Sequence, residues 1–406
     1  MDVLAQTDVR YRRDQTRMLA ACSALLCINA AFPIYGASVV NTAMVSAMGL
    51  DRSLLGLLVS ANMAITGLTA PIMGALVGRV GARRVLILGS VMLILGSIAM
   101  ATIVQGALPA ILAFGLLVGL AMSAGGFVAN QACVAGWFKE DRARPFAVLY
   151  ATMGAGGFIA APLISGAIGL GNDWRAGWLV FVALGVIALG LALFVVRDAP
   201  HMDDSVDLSM PMQATGTTDT GLVPVCIVIF CIMAAGASSS VYIAHGLAML
   251  SDFGRSFSAA ATSMSIMAAS TLAGNFAIGA LGGRFGIRRI LAAGSVTFAF
   301  GLMLLMGARS TSLFYIYPLF LGAGFGAVQV GAMALLSKCV APSRFAATTG
   351  IAISLQTVAS AITPFLGGWL FDKTHTYLPL VGTLVGLNVI AALLLLVSGR
   401  AFPTRA

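Results

Sequence analysis

The sequence predicts an all-α integral membrane protein, with twelve transmembrane helices arranged as two pseudo-symmetric six-helix bundles. Composition is the first observation: 59% of the 406 residues are apolar, only 9% are charged, and the mean hydropathy is +0.99. A soluble protein carries about 25% charged residues, so a water-soluble enzyme is excluded. The second observation is a series of apolar runs, each near the roughly 20 residues a span requires. The third is an internal repeat at about half the chain length.

The runs place spans at 18–48, 54–79, 82–102, 108–137, 145–170 and 176–197, then at 221–251, 256–281, 287–307, 311–337, 344–371 and 377–398. The first follows Arg10, Arg12, Arg13 and Arg17 but is too long for a signal-peptide core, so it reads as a retained span. Between the two sets lies Asp198–Thr220, with His201, Asp203, Asp204, Asp207, Asp219, Pro200 and Pro211. This polar stretch reads as a cytoplasmic linker. The domains are therefore 1–197, 198–220 and 221–406.

With the N-terminus inside, 18 Lys and Arg fall on the cytoplasmic side and five (Arg52, Arg175, Arg255, Arg309 and Lys373) on the outside. Positive residues concentrate on the cytoplasmic side, so both termini are expected inside, in the cytoplasmic (inner) membrane. The net charge of +9 then reflects orientation and lipid contact rather than nucleic-acid binding. The six Cys lie in or beside apolar runs and suggest no disulfide framework.

Residues 74–96 and 279–301 are identical at 13 of 23 positions, at a constant offset of 205. Cys22 and Cys27 recur as Cys226 and Cys231, and Gly115-x-x-x-Gly119 recurs as Gly322-x-x-x-Gly326. Parallel repeats of six spans are a known transporter architecture.

At these residues the chain resembles the major facilitator superfamily, whose loop between spans two and three reads G-x-L-a-D-r-x-G-r-R-r. Gly74, Leu76, Arg79, Gly81, Arg83 and Arg84 match, as do Gly279, Leu281, Arg284, Gly286, Arg288 and Arg289. Gly78 and Gly283 stand where the family's Asp would be. Within the superfamily the chain looks most like bacterial relatives of the monocarboxylate and oxalate–formate porters. The matching residues are Trp137-Phe138, Arg144-Pro-Phe-Ala147, Asp173-Trp174-Arg175 and Tyr242-x-x-His245. The resemblance implies alternating-access transport of a small organic monocarboxylate, with Arg79, Arg83, Arg284 and Arg288 in the inner gate.

Every charged residue lies at a terminus, loop or span edge. A cavity without fixed charge suits a neutral or singly charged, partly apolar substrate, because a multiply charged one would need compensation. Tyr35, Tyr242, His245, Gln329 and Gln356 are the expected substrate contacts, with Asn62, Ser123 and Asn275 behind them. Asn29, Pro33, Gly36 and Val40 form a stripe beside Tyr35 in span one, and Asn130, Gln131 and Tyr150 are further polar positions. Asn and Gln also join membrane helices as interhelical glue.

His245 is the one imidazole in a span, and an unperturbed His titrates near about 6.5. It is the expected proton carrier for symport, and the bland alternative is a ring bonded to a backbone carbonyl. The expected partners are a small organic anion, protons and the lipid bilayer, with the chain a monomer.

Gly157-x-x-x-Ala161-Pro162-x-x-Ser165-Gly166 is a degraded form of the drug-exporter motif G-x-x-x-G-P-x-x-G-G, and span four lacks the Arg of proton-coupled exporters. Export of a hydrophobic compound is therefore the second reading, and a non-transporting sensor the third. None of Lys139, Lys338 and Lys373 sits in a P-loop. No enzyme activity, cofactor or metal is expected.

Overall fold

The computed structural model describes residues 2–138, 143–198, 221–399 and 402. The segment read as a linker lies outside the described residues from 199 onward, as do Lys139 and Arg142. Among the described residues, twelve helices are long and apolar enough to cross a membrane. They are α1 (Arg12–Ala47), α2 (Arg52–Val80), α3 (Ala82–Thr102), α4 (Ala107–Trp137), α5 (Pro145–Gly171), α6 (Arg175–Phe194), α7 (Leu222–Asp252), α8 (Phe257–Phe285), α9 (Ile287–Met306), α10 (Thr311–Cys339), α11 (Ala347–Thr374) and α12 (Leu378–Val397). Among the described residues there is no strand.

The structure shifts several boundaries: α6 ends at Phe194 rather than 197, and α11 spans Ala347–Thr374 rather than 344–371. Helix α8 runs on through Leu281 to Phe285 and stops where Gly286 takes φ +85°. Its repeat partner Gly81 takes φ +89° and ends α2. Only glycine adopts such angles without a Cβ penalty, so the duplicated motif is a pair of identical helix stops.

The motif arginines repeat as well. Arg83 donates from Nη2 to the Leu193 carbonyl at 2.5 Å and from Nε to the Ala192 carbonyl at 3.3 Å. Arg288 donates from Nη1 to the carbonyls of Leu395 and Leu396. Each guanidinium fills carbonyls left open at a helix C-terminus, where the helix dipole favours a cation. Arg79 and Arg284 are exposed, the latter stacked on the Phe285 ring at 5.3 Å. With Gly at 78 and 283, the neighbouring Asp198 takes part of the acidic role: its Oδ1 accepts the Arg83 backbone N–H at 3.0 Å.

Large apolar side chains such as Leu68 (73% exposed), Phe194 (80%) and Val397 (82%) form an outward-facing belt. In water this belt would be a liability; in a bilayer it meets acyl chains. Small residues allow close helix packing inside. A Cβ at Gly89 would collide with Gly125, and one at Gly274 with the Ala323 carbonyl. The two halves meet along α2 with α11, α5 with α8, and α1 with α7. The ends assigned to the outside by charge asymmetry are called outer below.

Candidate functional site

Tyr35 is the predicted residue that the first half brings to the seam. Its ring lies against Gly157 of α5, where a Cβ would strike both Tyr35 and Ala268 of α8. The side chain is 7% exposed.

The second half contributes an amide pair. Gln356 donates from Nε2 to Oε1 of Gln329 at 3.1 Å, joining α11 to α10. Both residues are half-buried. Gly236 of α7 makes room for the Gln356 side chain, since a Cβ there would press on it. The next residue, Thr357, packs on Gly67 of α2, which places the pair beside the seam. Each amide keeps donors and acceptors that this single bond does not use.

Tyr242 is buried in a hydroxyl cluster. Its Oη lies 3.0 Å from Tyr317 Oη, and Tyr317 donates to Ser263 Oγ at 2.8 Å. This cluster ties α7, α8 and α10 together. Ser238, on the same face, receives a bond from Asn388 Nδ2 at 2.8 Å.

His245 is fully buried, with both ring nitrogens occupied. Nε2 lies 2.8 Å from the Pro364 carbonyl oxygen. A carbonyl only accepts, so Nε2 carries the proton. Nδ1 of the neutral ring then accepts from the Tyr377 hydroxyl at 3.2 Å. Tyr377 lies just outside α12, and burial pushes its hydroxyl pKa upward, so it remains a donor. The imidazole thus braces α11 at its proline, the bland arrangement weighed above. It does not meet Tyr35 or the amide pair through any of these bonds.

The remaining predicted residues are dispersed. Asn62 donates to the Phe114 carbonyl at 3.0 Å, within the π-helical segment Ile111–Val118 of α4. Ser123 is buried on α4 with its Oγ unpaired. Asn275 of α8 is half-buried, with its Oδ1 against Gly326.

At the outer end the halves are sealed. Asp372 of α11 accepts from the backbone N–H groups of Arg52 at 3.0 Å and Ser53 at 2.9 Å. Arg52 also pairs with Asp252 of α7 at 2.9 Å and stacks over Phe371. Ser38 of α1 donates to the Ile243 carbonyl, and Ser60 Oγ accepts from the Phe365 N–H at 3.1 Å. Beside this seal lies an outer cavity of about 1030 Å³, lined by Thr42, Ser46, Arg52, Arg175 and Ser258 among others.

Sequence reading missed Asp372, Asp252, Tyr317 and Tyr377. The usable signal was an acidic residue at the outer end of both α7 and α11, opposite Arg52.

The Major Facilitator Superfamily model matches residues 19–212 and 225–405. The chain is 24% identical over 371 residues to the "Uncharacterized MFS-type transporter YcxA" of Bacillus subtilis (strain 168), covering 86% of this chain and 88% of that protein. Two solved structures share the fold at 15% identity. The nucleoside transporter NupG (D323A mutant) superposes with a TM-score of 0.77, covering 95% of this chain and 99% of the other. A bacterial homologue of the human lysosomal transporter Spinster, in an inward-facing and occupied conformation, gives 0.72, with 95% and 96% covered.

Proposed function

From the premise that this chain belongs to the major facilitator superfamily, we propose that it takes up a small organic monocarboxylate across the cytoplasmic membrane by alternating access. The carrying observation is the seam between the halves. It offers Tyr35 and the amide pair Gln329–Gln356, while the charged side chains described lie at helix ends. Neutral donors suit one carboxylate with an apolar remainder. They give nothing to offset a second buried charge, which is costly to desolvate.

The proposed cycle opens and closes the outer seal built on Arg52, Asp252 and Asp372. The loops of Arg79, Arg83, Arg284 and Arg288 form the proposed inner gate. His245 is the proposed proton carrier, and its bonds define the step. A second proton on the ring makes Nδ1 a donor, so the Tyr377 hydroxyl must turn from donating to accepting. Carrying one bare charge through 100 mV involves about 2.3 kcal/mol. A proton moving with the anion cancels that opposition to uptake.

The test is substrate binding to purified protein, read as thermal stabilisation by a panel of monocarboxylates, dicarboxylates and nucleosides. Stabilisation by a monocarboxylate that is lost in both Gln356→Ala and Gln329→Ala supports the site. The same stabilisation in both variants moves the site elsewhere. Stabilisation by nucleosides alone replaces the substrate class.

A further inference from the structure

The first half contains a structural feature that its repeat lacks. Helix α1 includes a π-helical turn, Cys27–Ala31, which carries Asn29. Helix α4 breaks at Gly126, whose φ of −84° and ψ of −143° leave the helical region. Such π-turns are frequent at functional sites, and transporter binding sites are typically formed by interrupted spans. The two interruptions meet. The Asn29 side chain lies directly on Gly125, where an added Cβ would stand 2.7 Å from its Cβ and Cγ. Gly89 of α3 packs on the same glycine.

The polar atoms at this junction are buried and incompletely bonded. Asn29 and Asn130 are both 0% exposed. Asn29 Nδ2 faces Ser90 Oγ at 3.4 Å. Asn130 Nδ2 donates to the carbonyls of Gly125 at 2.8 Å and Gly126 at 2.7 Å. Both donors of Asn130 and one of the two of Asn29 are thus engaged, whereas Oδ1 of Asn29 and Oδ1 of Asn130 have no partner. Ser123, three residues before the break at Gly126, is also buried with Oγ unpaired. A buried acceptor without a partner is destabilising, and here two carboxamide oxygens are left so around one break.

The repeat provides an internal control. At the offsets of the matching motifs, Asn29, Ser123, Gly125 and Asn130 correspond to Met233, Val330, Ala332 and Ser337. Helices α7 and α10 run through these positions as uninterrupted α-helix. Packing six helices into a half-bundle therefore requires neither the π-turn nor the break.

We propose that the junction of Asn29, Ser90 and Asn130 with the broken end of α4 at Gly125–Gly126 is a binding site for a monovalent cation, with sodium as its ion. The unpaired groups are acceptors, as a cation requires. The C-terminal end of a helix segment presents the negative end of its dipole, and the Gly125 and Gly126 carbonyls, which already accept from Asn130 Nδ2, each keep a second lone pair. Unwound carbonyls and half-helix ends of this kind coordinate sodium in other transporters. The site contains no His, Cys or carboxylate; its ligands are neutral oxygens. It stands on the geometry of α1, α3 and α4 and does not depend on the substrate proposed above.

The test is equilibrium binding of ²²Na⁺ to the purified full-length protein in lipid nanodiscs, with choline chloride holding ionic strength constant. Saturable binding is expected, together with a thermal unfolding midpoint that rises with sodium and not with choline. Asn29→Ala should weaken binding by about tenfold or more, the effect of losing one supporting ligand. Asn29→Asp adds a negative charge at the same place and should tighten binding; this guards against reading misfolding of the alanine variant as loss of the site. Wild-type binding no greater than that of Asn29→Ala, or equal stabilisation by choline, overturns the proposal and leaves buried water only. Unchanged affinity in Asn29→Asp overturns it too.

Discussion

Asp372 caps the helix that begins at Arg52, although the two residues are 320 positions apart and lie in opposite halves. Asp51 holds the N-cap position of α2, yet its side chain makes no capping bond. The free N–H groups at the start of α2 are instead satisfied by a carboxylate at the end of α11. A helix cap contributes about 1 kcal/mol, and this cap exists only while the outer ends are together. It links local helix chemistry to the conformational equilibrium.

Asp372→Ala is therefore expected to favour the outward-open state. A loss of about 1 kcal/mol corresponds to roughly a five-fold shift in the ratio of closed to open forms. Spin-label distances between the outer ends of α1 and α8 measure that ratio. An unchanged distance distribution would show that the cap does not hold the gate.

Gly56 and Gly368 set how closely the seal closes. A Cβ at Gly56 would collide with the Pro364 carbonyl, and one at Gly368 with the Arg52 carbonyl. Gly56→Ala should leave folding of each half intact and prevent outer closure, so transport falls while the outer cavity stays accessible to thiol reagents. Wild-type transport by this variant would mean that α2 and α11 separate without cost.

The inner arginines divide into two kinds. Arg83 and Arg288 hold helix C-termini, and bonds from charged groups are worth about 1.5–3 kcal/mol. Arg83→Ala and Arg288→Ala should lower the thermal unfolding midpoint by several degrees. Arg79 and Arg284 are exposed, so Arg79→Ala and Arg284→Ala should leave the midpoint in place and slow transport while binding persists. The reverse pattern in a thermal melt paired with a binding assay would contradict this division.

The twelve spans, the duplication and the loop motif were legible because bilayer thickness and composition leave local, repeated signals. The helix stops at Gly81 and Gly286 follow from the same repeat. What stayed hidden depends on contacts between distant segments. His245 showed itself as a buried imidazole, but its partners Pro364 and Tyr377 lie 119 and 132 positions away. Asn130 read as one more polar residue, because the break at Gly126 depends on how α1, α3 and α4 pack. Tyr35 and the Gln329–Gln356 pair lie beside the seam between the halves, and Asn62 is bonded to a carbonyl inside the first half.

His245→Gln preserves one hydrogen bond to the Pro364 carbonyl but removes a titratable ring. Under the proton-carrier proposal, accumulation driven by an inward proton gradient disappears in this variant and substrate exchange continues. Counterflow and gradient-driven uptake in the same vesicles check both halves of that statement. Equal accumulation in mutant and wild type would assign His245 to bracing α11 alone.

Uptake of labelled acids into proteoliposomes measures transport of a monocarboxylate through the seam. Wild-type protein should take up a small monocarboxylate saturably and ignore the matching dicarboxylate, and Gln356→Ala should lose that uptake. Equal handling of both acids, or uptake untouched by Gln356→Ala, would contradict the account.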